Sequence, residues 1–377
     1  MQKSTFKLVA IVSIFVLSTI ASFAQNEVEE GILVPTATPF LNISPESRAG
    51  AMGDAGVATS ADLSSQHWNS SKYAFLEQDM GVSVSFTPWL RNLVNDINLY
   101  YLTFFKRVDK MSTVSASLRY FSMGHITFTD DNGEPTTTGN PNEFALDAAY
   151  SRLLSDNFSA SIAFRYIRSD LLNGSGTAGA SAGNAFAADL NFYYLQRVKW
   201  GGRKGDISAG LNFSNLGSKI SYNGGTDEQF LPANMRLGGA YSTEIDRYNK
   251  IGFTMDINKL MIAKGEENQD ISVPASFFKS FGDMTLEDFM FSLGAEYWYD
   301  NQFALRAGYS HQDETRGNNK YATAGAGLKF NMFTIDASYI IPLVANNPLA
   351  NTIRFSLAFN FDEMTGKNKR PTYKRKR

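Results

Sequence analysis

Three histidines, His67, His125 and His311, and no cysteine are the material from which hydrolytic or metal chemistry would have to be built. An acyl-transfer site needs a serine nucleophile, a histidine base and an orienting polar group within reach. His125 has Ser122 and Thr127 close in sequence, and His311 stands beside Ser310 and Asp313. Adjacent residues on a strand point to opposite faces, so an extended backbone here turns Ser310 and His311 away from each other. Neither serine sits in a recognisable nucleophile motif. A zinc cluster lacks ligands. The DDNGEP run gathers Asp130, Asp131 and Glu134. It lacks the spacing of a helix–loop–helix calcium site and reads as a polar Asn-Gly turn. No catalytic residue, cofactor or metal site is assigned on this reading.

A second set of charges is spread through apolar stretches: Arg119, Asp147, Arg165, Asp189, Arg236, Asp256, Glu296, Arg306, Asp336 and Arg354. Both signs are present. Such charges inside a membrane protein face its interior and pair with one another. The mixture favours a filled interior over an ion-selective pore.

The elements that must position these side chains are strands. Phe303, Leu305, Ala307 and Tyr309 alternate with Ala304, Arg306, Gly308 and Ser310. Ile207, Ala209, Leu211 and Phe213 alternate with Ser208, Gly210 and Asn212. Ile353, Phe355, Leu357, Phe359 and Phe361 alternate with Arg354, Ser356, Ala358 and Asn360. Period-two alternation gives each segment one greasy face and one wet face. Fourteen such segments are expected near 80–88, 96–106, 111–122, 143–154, 157–169, 184–196, 205–215, 232–243, 249–258, 287–299, 302–312, 319–330, 332–341 and 350–361. In the second, DINLYYLTFF, both faces are apolar. Connections after even-numbered strands are mostly short, with QRVKWGGRKGD the longest. Those after odd-numbered strands are mostly longer, at 123–142, 170–183, 216–231 and 259–286. That parity fits a 14-stranded antiparallel transmembrane β-barrel of an outer membrane, with short periplasmic turns, long extracellular loops and both termini periplasmic. Tyr166, Tyr194, Tyr241, Tyr297, Trp298, Tyr299, Tyr309 and Tyr339 lie near strand ends, where a membrane–water boundary collects aromatic rings.

The ends support export. Lys3 and Lys7 precede the apolar run Leu8 to Ile20, and Ser22-Phe23-Ala24 offers small residues for cleavage before Gln25. This reads as a signal peptide over 1–24, too short for a spanning helix. Mean hydropathy is −0.23, which barrels share with soluble proteins because half of each strand faces the lumen. The net charge of −2 conceals a basic block, with Lys367, Lys369, Arg370, Lys374, Arg375, Lys376 and Arg377 at the end of an otherwise acidic chain. Residues 362–377 read as a solvated basic tail. An acidic body argues against nucleic acid as a partner. Residues 25–78 are rich in Gly, Ala, Ser and Pro and carry Gly50, Gly53 and Gly56 at every third position. They read as a compact hatch-like element ahead of a barrel over 79–361.

Two connections are unusually apolar. TPWLRNLVND holds Trp89, Leu90, Leu93 and Val94 at helical spacing, and the longest loop holds Phe277, Phe278 and Phe281 with Val273 on one helical face. Exposed groups of this kind suit a protein or lipid contact, and the same groups could fold back over the barrel mouth. These seven are the candidate partner-binding residues.

The run SRAGAMGDAGVATSADLSSQHWNSS resembles the start of FadL-type outer-membrane barrels. That resemblance implies fourteen strands, a luminal hatch and, in many members, movement of hydrophobic small molecules. Where the hatch often continues Asn-Pro-Ala, this chain has Asn69-Ser70-Ser71. GILVPTATPFLNISPESRAGAMGDAGVAT, SLGAEYWYDNQFALRAGY and VPASFFKSFGD resemble the PorV (LptO) family of the Bacteroidetes type IX secretion system over about residues 31 to 361. That resemblance implies an outer-membrane partner of the large translocon barrel. It would receive cargo by the cargo's C-terminal signal domain and hand it to a sortase-containing attachment complex. A FadL-like transporter and a lipid A deacylation accessory are the alternatives it leaves open.

Overall fold

The computed structural model describes residues 36–130, 132–173, 181–225, 227–282, 284–344 and 347–363. The expected signal peptide, Asp131 and the basic block lie outside them.

Alternation produces fourteen barrel strands: β1 (Met80–Pro88), β2 (Asn98–Arg107), β3 (Ser112–Ser122), β4 (Asn142–Leu153), β5 (Phe158–Asp170), β6 (Gly183–Trp200), β7 (Arg203–Gly217), β8 (Asn234–Glu244), β9 (Asn249–Leu260), β10 (Phe289–Tyr299), β11 (Phe303–His311), β12 (Lys320–Phe330), β13 (Phe333–Pro342) and β14 (Ile353–Asn360). Each pairs antiparallel with its chain neighbours, and β14 closes on β1 with Val84 opposite Leu357. Closure removes the free edges that an open sheet would present.

The register puts the expected faces where alternation requires. Phe253, Leu305 and Phe355 stand outward, about half exposed, while Asn212, Arg354 and Ser356 are buried inside. A continuous exposed apolar surface of this kind is what a bilayer covers. β2 is apolar on both faces because its inner face meets apolar plug residues. Phe105 stacks on Tyr73 at 5.3 Å, and Leu99 joins a cluster with Phe40 and Leu41. Trp298 departs from the expected aromatic belt. It faces inward opposite Ala304, with the Arg306 guanidinium 5.3 Å from its ring.

Differences from expectation lie in the connections. β6 and β7 extend to Trp200 and Arg203, so most of QRVKWGGRKGD is ladder, closed by Gly201 and Gly202 at φ 57° and 84°. A two-residue hairpin turn of type I′ has positive φ at both positions, which glycine supplies without strain. The loop after β3 holds a small hairpin, Ile126–Thr129 with Pro135–Gly139, and the longest loop holds the helix Val273–Lys279.

Residues 36–79 fill the lumen with short helical pieces, Pro39–Asn42, Ser47–Gly50, Gln66–Asn69 and Ser70–Phe75. This hatch runs the whole height of the barrel. At the long-loop end Ala37 N–H donates to the Phe230 carbonyl at 3.0 Å and Arg119 to the Leu41 carbonyl at 2.6 Å. At the short-turn end Tyr73 and Leu76 pack on Phe105. The first described residues therefore lie at the long-loop end, whereas Phe361–Glu363 lies beside the start of β1 at the short-turn end, where Asp362 accepts from Asp79 N–H. The expectation of both termini on the short-turn side, and residues 25–35 of the expected hatch, fall outside the described residues. Small residues let hatch and wall touch. A Cβ on Gly308 would come within 2.0 Å of Gly53 N, and one on Gly210 within 2.1 Å of the Val57 carbonyl oxygen.

Candidate functional site: a filled lumen and an apolar rim

All ten charges expected in the lumen are there, nine of them fully buried and Glu296 nearly so. Six of them pair with one another and Arg354 pairs with the hatch, whereas Arg119 and Arg236 bond to neutral groups, the Leu41 carbonyl and the Asn212 side-chain oxygen. Arg165 meets Asp147 at 2.6 Å and Asp189 at 2.9 Å. Arg306 meets Glu296 and Asp336, both at 2.7 Å. The hatch enters the same network. Arg48 reaches Asp62 at 2.8 Å and Glu296 at 2.9 Å, and Asp54 takes the Arg354 guanidinium at 3.3 Å and the Tyr321 hydroxyl at 2.5 Å. Asp256 accepts from Gly56 and Val57 N–H. Ser70 and Ser71 are used too: Ser70 Oγ is 2.7 Å from Ser161 Oγ, and the Ser71 carbonyl accepts from Ser159. Charges withdrawn from water are tolerable when an opposite charge or hydrogen bonds meet them, and breaking one ion pair strands its partner.

The serine–histidine combinations do not assemble. Ser310 is buried on the inner face, while His311 on the outer face is 3.1 Å from the Tyr309 hydroxyl. His125 is held through its backbone N–H by Asp96.

The candidate rim residues fall in two places. Residues 89–97 form a turn and not the helix their spacing suggested. Leu90 has φ 53°, and both Leu93 and Val94 N–H donate to its carbonyl. The turn splits the set: Trp89 packs on the cluster containing Phe40, Leu41 and Phe121, Leu90 is half-buried, and Leu93 and Val94 are exposed. The Asn92 side-chain Oδ1 accepts from the Asn351 side-chain Nδ2 at 2.6 Å, tying this turn to the β13–β14 connection.

The second place is the helix Val273–Lys279. Ser272 caps it, Pro274 fits its first turn, and Ser276 Oγ accepts from Ala263 N–H at 2.9 Å. Phe277 contacts Phe278 at 5.3 Å and Phe281 at 5.4 Å, and Lys259 sits 5.1 Å from the Phe281 ring. Phe278 is 74% exposed. Phe277 and Phe278 close over a cavity of about 490 Å³ that Phe230, Leu231, Met261 and Ile262 also line. Sequence reading missed those four, although FLP and LMIA are conspicuous apolar runs beside polar loops. Asp288 clamps this end of the barrel, with Lys264 at 2.8 Å and Arg316 at 2.7 Å. Burial pushes its carboxyl up, but the bonds from Lys264 and Thr285 N–H prevail and hold it below the usual carboxylate range. Four strands separate the two apolar places along the shorter arc of the barrel, so they form two surfaces.

Solved structures with this architecture include the toluene transporter TodX of Pseudomonas putida, at 12% identity and TM-score 0.50 over 87% of this chain and 98% of that one. A TodX deltaS2S3 mutant, titled a monoaromatic hydrocarbon channel, aligns at 13% identity and TM-score 0.53 over 84% and 99%. A FadL homologue of Pseudomonas aeruginosa aligns at 12% identity and TM-score 0.45 over 88% and 100%. At these identities the likeness concerns the fold alone. No curated protein matches the sequence. The family described as type IX secretion system protein PorV matches residues 25–267, well over half of the chain. With its closed fourteen-stranded barrel and luminal hatch, this chain belongs to the PorV family of outer-membrane type IX secretion proteins.

Proposed function

We propose that this chain is an adaptor of the type IX secretion system. It binds cargo through the cargo's C-terminal signal domain, associates with the large translocon barrel and passes cargo to the sortase-containing attachment complex. The observation that carries this reading is the hatch: it spans the lumen and is cross-linked to the wall through Arg48, Asp54 and Asp256. A barrel filled in this way works through its surfaces. The long-loop end is read as the cell exterior, and the outward strand faces as the contact with outer-membrane lipid. Leu93, Val94, Phe278 and Leu286 are exposed at that long-loop end and are the kind of group that protein interfaces bury. No catalytic or cofactor role is assigned.

A second reading, transport of hydrophobic small molecules, is favoured by the apolar cavity beneath Phe277 and Phe278. Leu231, which lines that cavity, also belongs to the cluster of Phe40, Leu41 and Leu99 over the hatch. The lipid A deacylation role rests on the family's alternative name alone. The test is to isolate the intact protein from the outer membrane and identify what accompanies it. The adaptor reading expects the translocon barrel and proteins bearing the signal domain. Recovery without either, together with fatty-acid uptake by the purified barrel and normal secretion after deletion, would establish the transporter instead.

A further inference from the structure

The ribbon joining β6 to β7 differs from the other short-turn connections among the described residues. Residues 195–200 run past the last ladder pair with β5, Phe158 opposite Tyr194, and continue in register only with β7. The tip carries Arg197, Lys199, Arg203 and Lys204 and no acidic residue between them. The tips at 108–111, 154–157, 245–248 and 300–302 each carry an aspartate, and the tip at 331–332 carries no charge. Trp200 is 73% exposed.

The register sorts these groups by face. Trp200 lies opposite Arg203, on the outward row that also holds Tyr194 and Ile207. Lys199 lies opposite Lys204 on the other face, and Asp206, the nearest acid along the ladder, is opposite Arg197. Like charges directly opposite each other destabilise a ladder unless something neutralises them. A tryptophan on a lipid-facing row, beside cations with long apolar stems, matches the boundary where acyl chains meet phosphate groups.

We propose that this ribbon binds the anionic headgroups of the leaflet at the short-turn end. Trp200 seats at the acyl–headgroup boundary, Arg203 on the same row reaches the phosphates, and Lys199 and Lys204, on the opposite face of a tip paired only with itself, snorkel around it to the same headgroups. An acidic protein segment would satisfy the same cations. The lipid fits better because Trp200 and Arg203 continue the bilayer-facing row rather than a face turned to the periplasm.

The test uses the full-length barrel in nanodiscs of phosphatidylcholine, with or without phosphatidylglycerol. The emission of Trp200 is read as the difference between wild type and Trp200→Phe, and retained phosphatidylglycerol is counted by native mass spectrometry. Phosphatidylglycerol is expected to shift the Trp200 emission to the blue. The substitutions Lys199→Gln, Arg203→Gln and Lys204→Gln should each weaken retention roughly fivefold. Heat-modifiable gel migration verifies that each variant remains a barrel. Equal retention by wild type and the triple variant, or the same Trp200 emission in both nanodiscs, overturns the proposal. A poly-glutamate peptide that moves Trp200 emission in pure phosphatidylcholine, where phosphatidylglycerol does not, also overturns it and makes the ribbon a protein contact.

Discussion

Arg48 of the hatch donates two hydrogen bonds to Glu296 of β10, from Nη2 to Oε1 at 2.9 Å and from Nε to Oε2 at 3.0 Å. Glu296 also accepts from Arg306 at 2.7 Å, and Arg306 from its other side reaches Asp336. One carboxylate thus joins the hatch to β10, β11 and β13. Its loss leaves two guanidinium groups facing each other with no charge between them.

Glu296→Ala is therefore expected to lower barrel stability by about 3 kcal/mol or more, the cost typical of removing one member of a buried pair. The midpoint of heat-modifiable migration on a gel measures it. Glu287→Ala, at an exposed loop position, serves as the control and should leave the midpoint unchanged. Equal midpoints for Glu296→Ala and wild type would mean that packing alone secures the hatch.

The lipid face gives a second expectation. Arginine at Leu211, Phe253, Leu305 or Leu357 should cost roughly 2–4 kcal/mol near mid-depth of the bilayer. Alternation alone suggests that arginine at the neighbouring Asn212 or Ser356 costs clearly less. The filled lumen changes that. Ser356 Oγ accepts from Ser47 N–H at 2.9 Å and lies 2.8 Å from Ser85 Oγ, and Asn212 is 1% exposed and bonded to Asn191 and Arg236. Arginine at either inner position must displace the hatch or a paired charge. Ser356→Arg should impair assembly as severely as Leu305→Arg, whereas Ser356→Ala should be mild, and folding yields of the three in one detergent separate the cases.

The strands were legible because a period of two survives in any sequence that separates lipid from lumen. Ile207 through Phe213 fixes its own faces without knowledge of its neighbours. The hatch was not legible in the same way. Gly53 and Gly308 are far apart in the chain, and only the closed barrel brings them together. The ascent of the hatch to the long-loop end is likewise written in long-range bonds such as Ala37 to Phe230, which leave no periodic trace. The spacing of Trp89 and Leu93 fits one face of a helix and hence one surface. The positive φ at Leu90 breaks that helix and turns them apart. QRVKWGGRKGD read as a loop because glycines and charges mark turns in general, yet here they extend a ladder.

Strand parity and loop length give a third expectation, that the long loops face the cell exterior. The chain has no native cysteine, so single replacements report cleanly. An impermeant maleimide applied to intact cells should label Glu287→Cys and not Asp156→Cys, both exposed positions at opposite ends of the barrel. The reverse pattern would invert the barrel and with it the side assigned to the apolar rim. Labelling at neither site would mean that the longest loop is covered in the cell.

The last expectation concerns the rim and follows from the split within each apolar set. Trp89 is packed over the hatch cluster, so Trp89→Ala should loosen the long-loop end and lower stability by about 3–5 kcal/mol at most, the usual range for removing a buried tryptophan. Leu93, Val94 and Phe278 give little to the fold because they are exposed. If they are interface anchors, truncation should leave assembly intact and weaken partner binding, often by more than about 2 kcal/mol for a central one. The two variants Leu93→Ala/Val94→Ala and Phe278→Ala test the two separate surfaces independently. Normal heat-modifiable migration with reduced secretion, or with reduced co-purification of the translocon or of cargo, would assign the affected surface to that partner. Because four strands lie between the surfaces, one variant should affect translocon recovery and the other cargo recovery if each surface serves a different partner. If both variants assemble and secrete normally, these apolar loops only cover the barrel mouth and the contacts with the secretion machinery lie elsewhere.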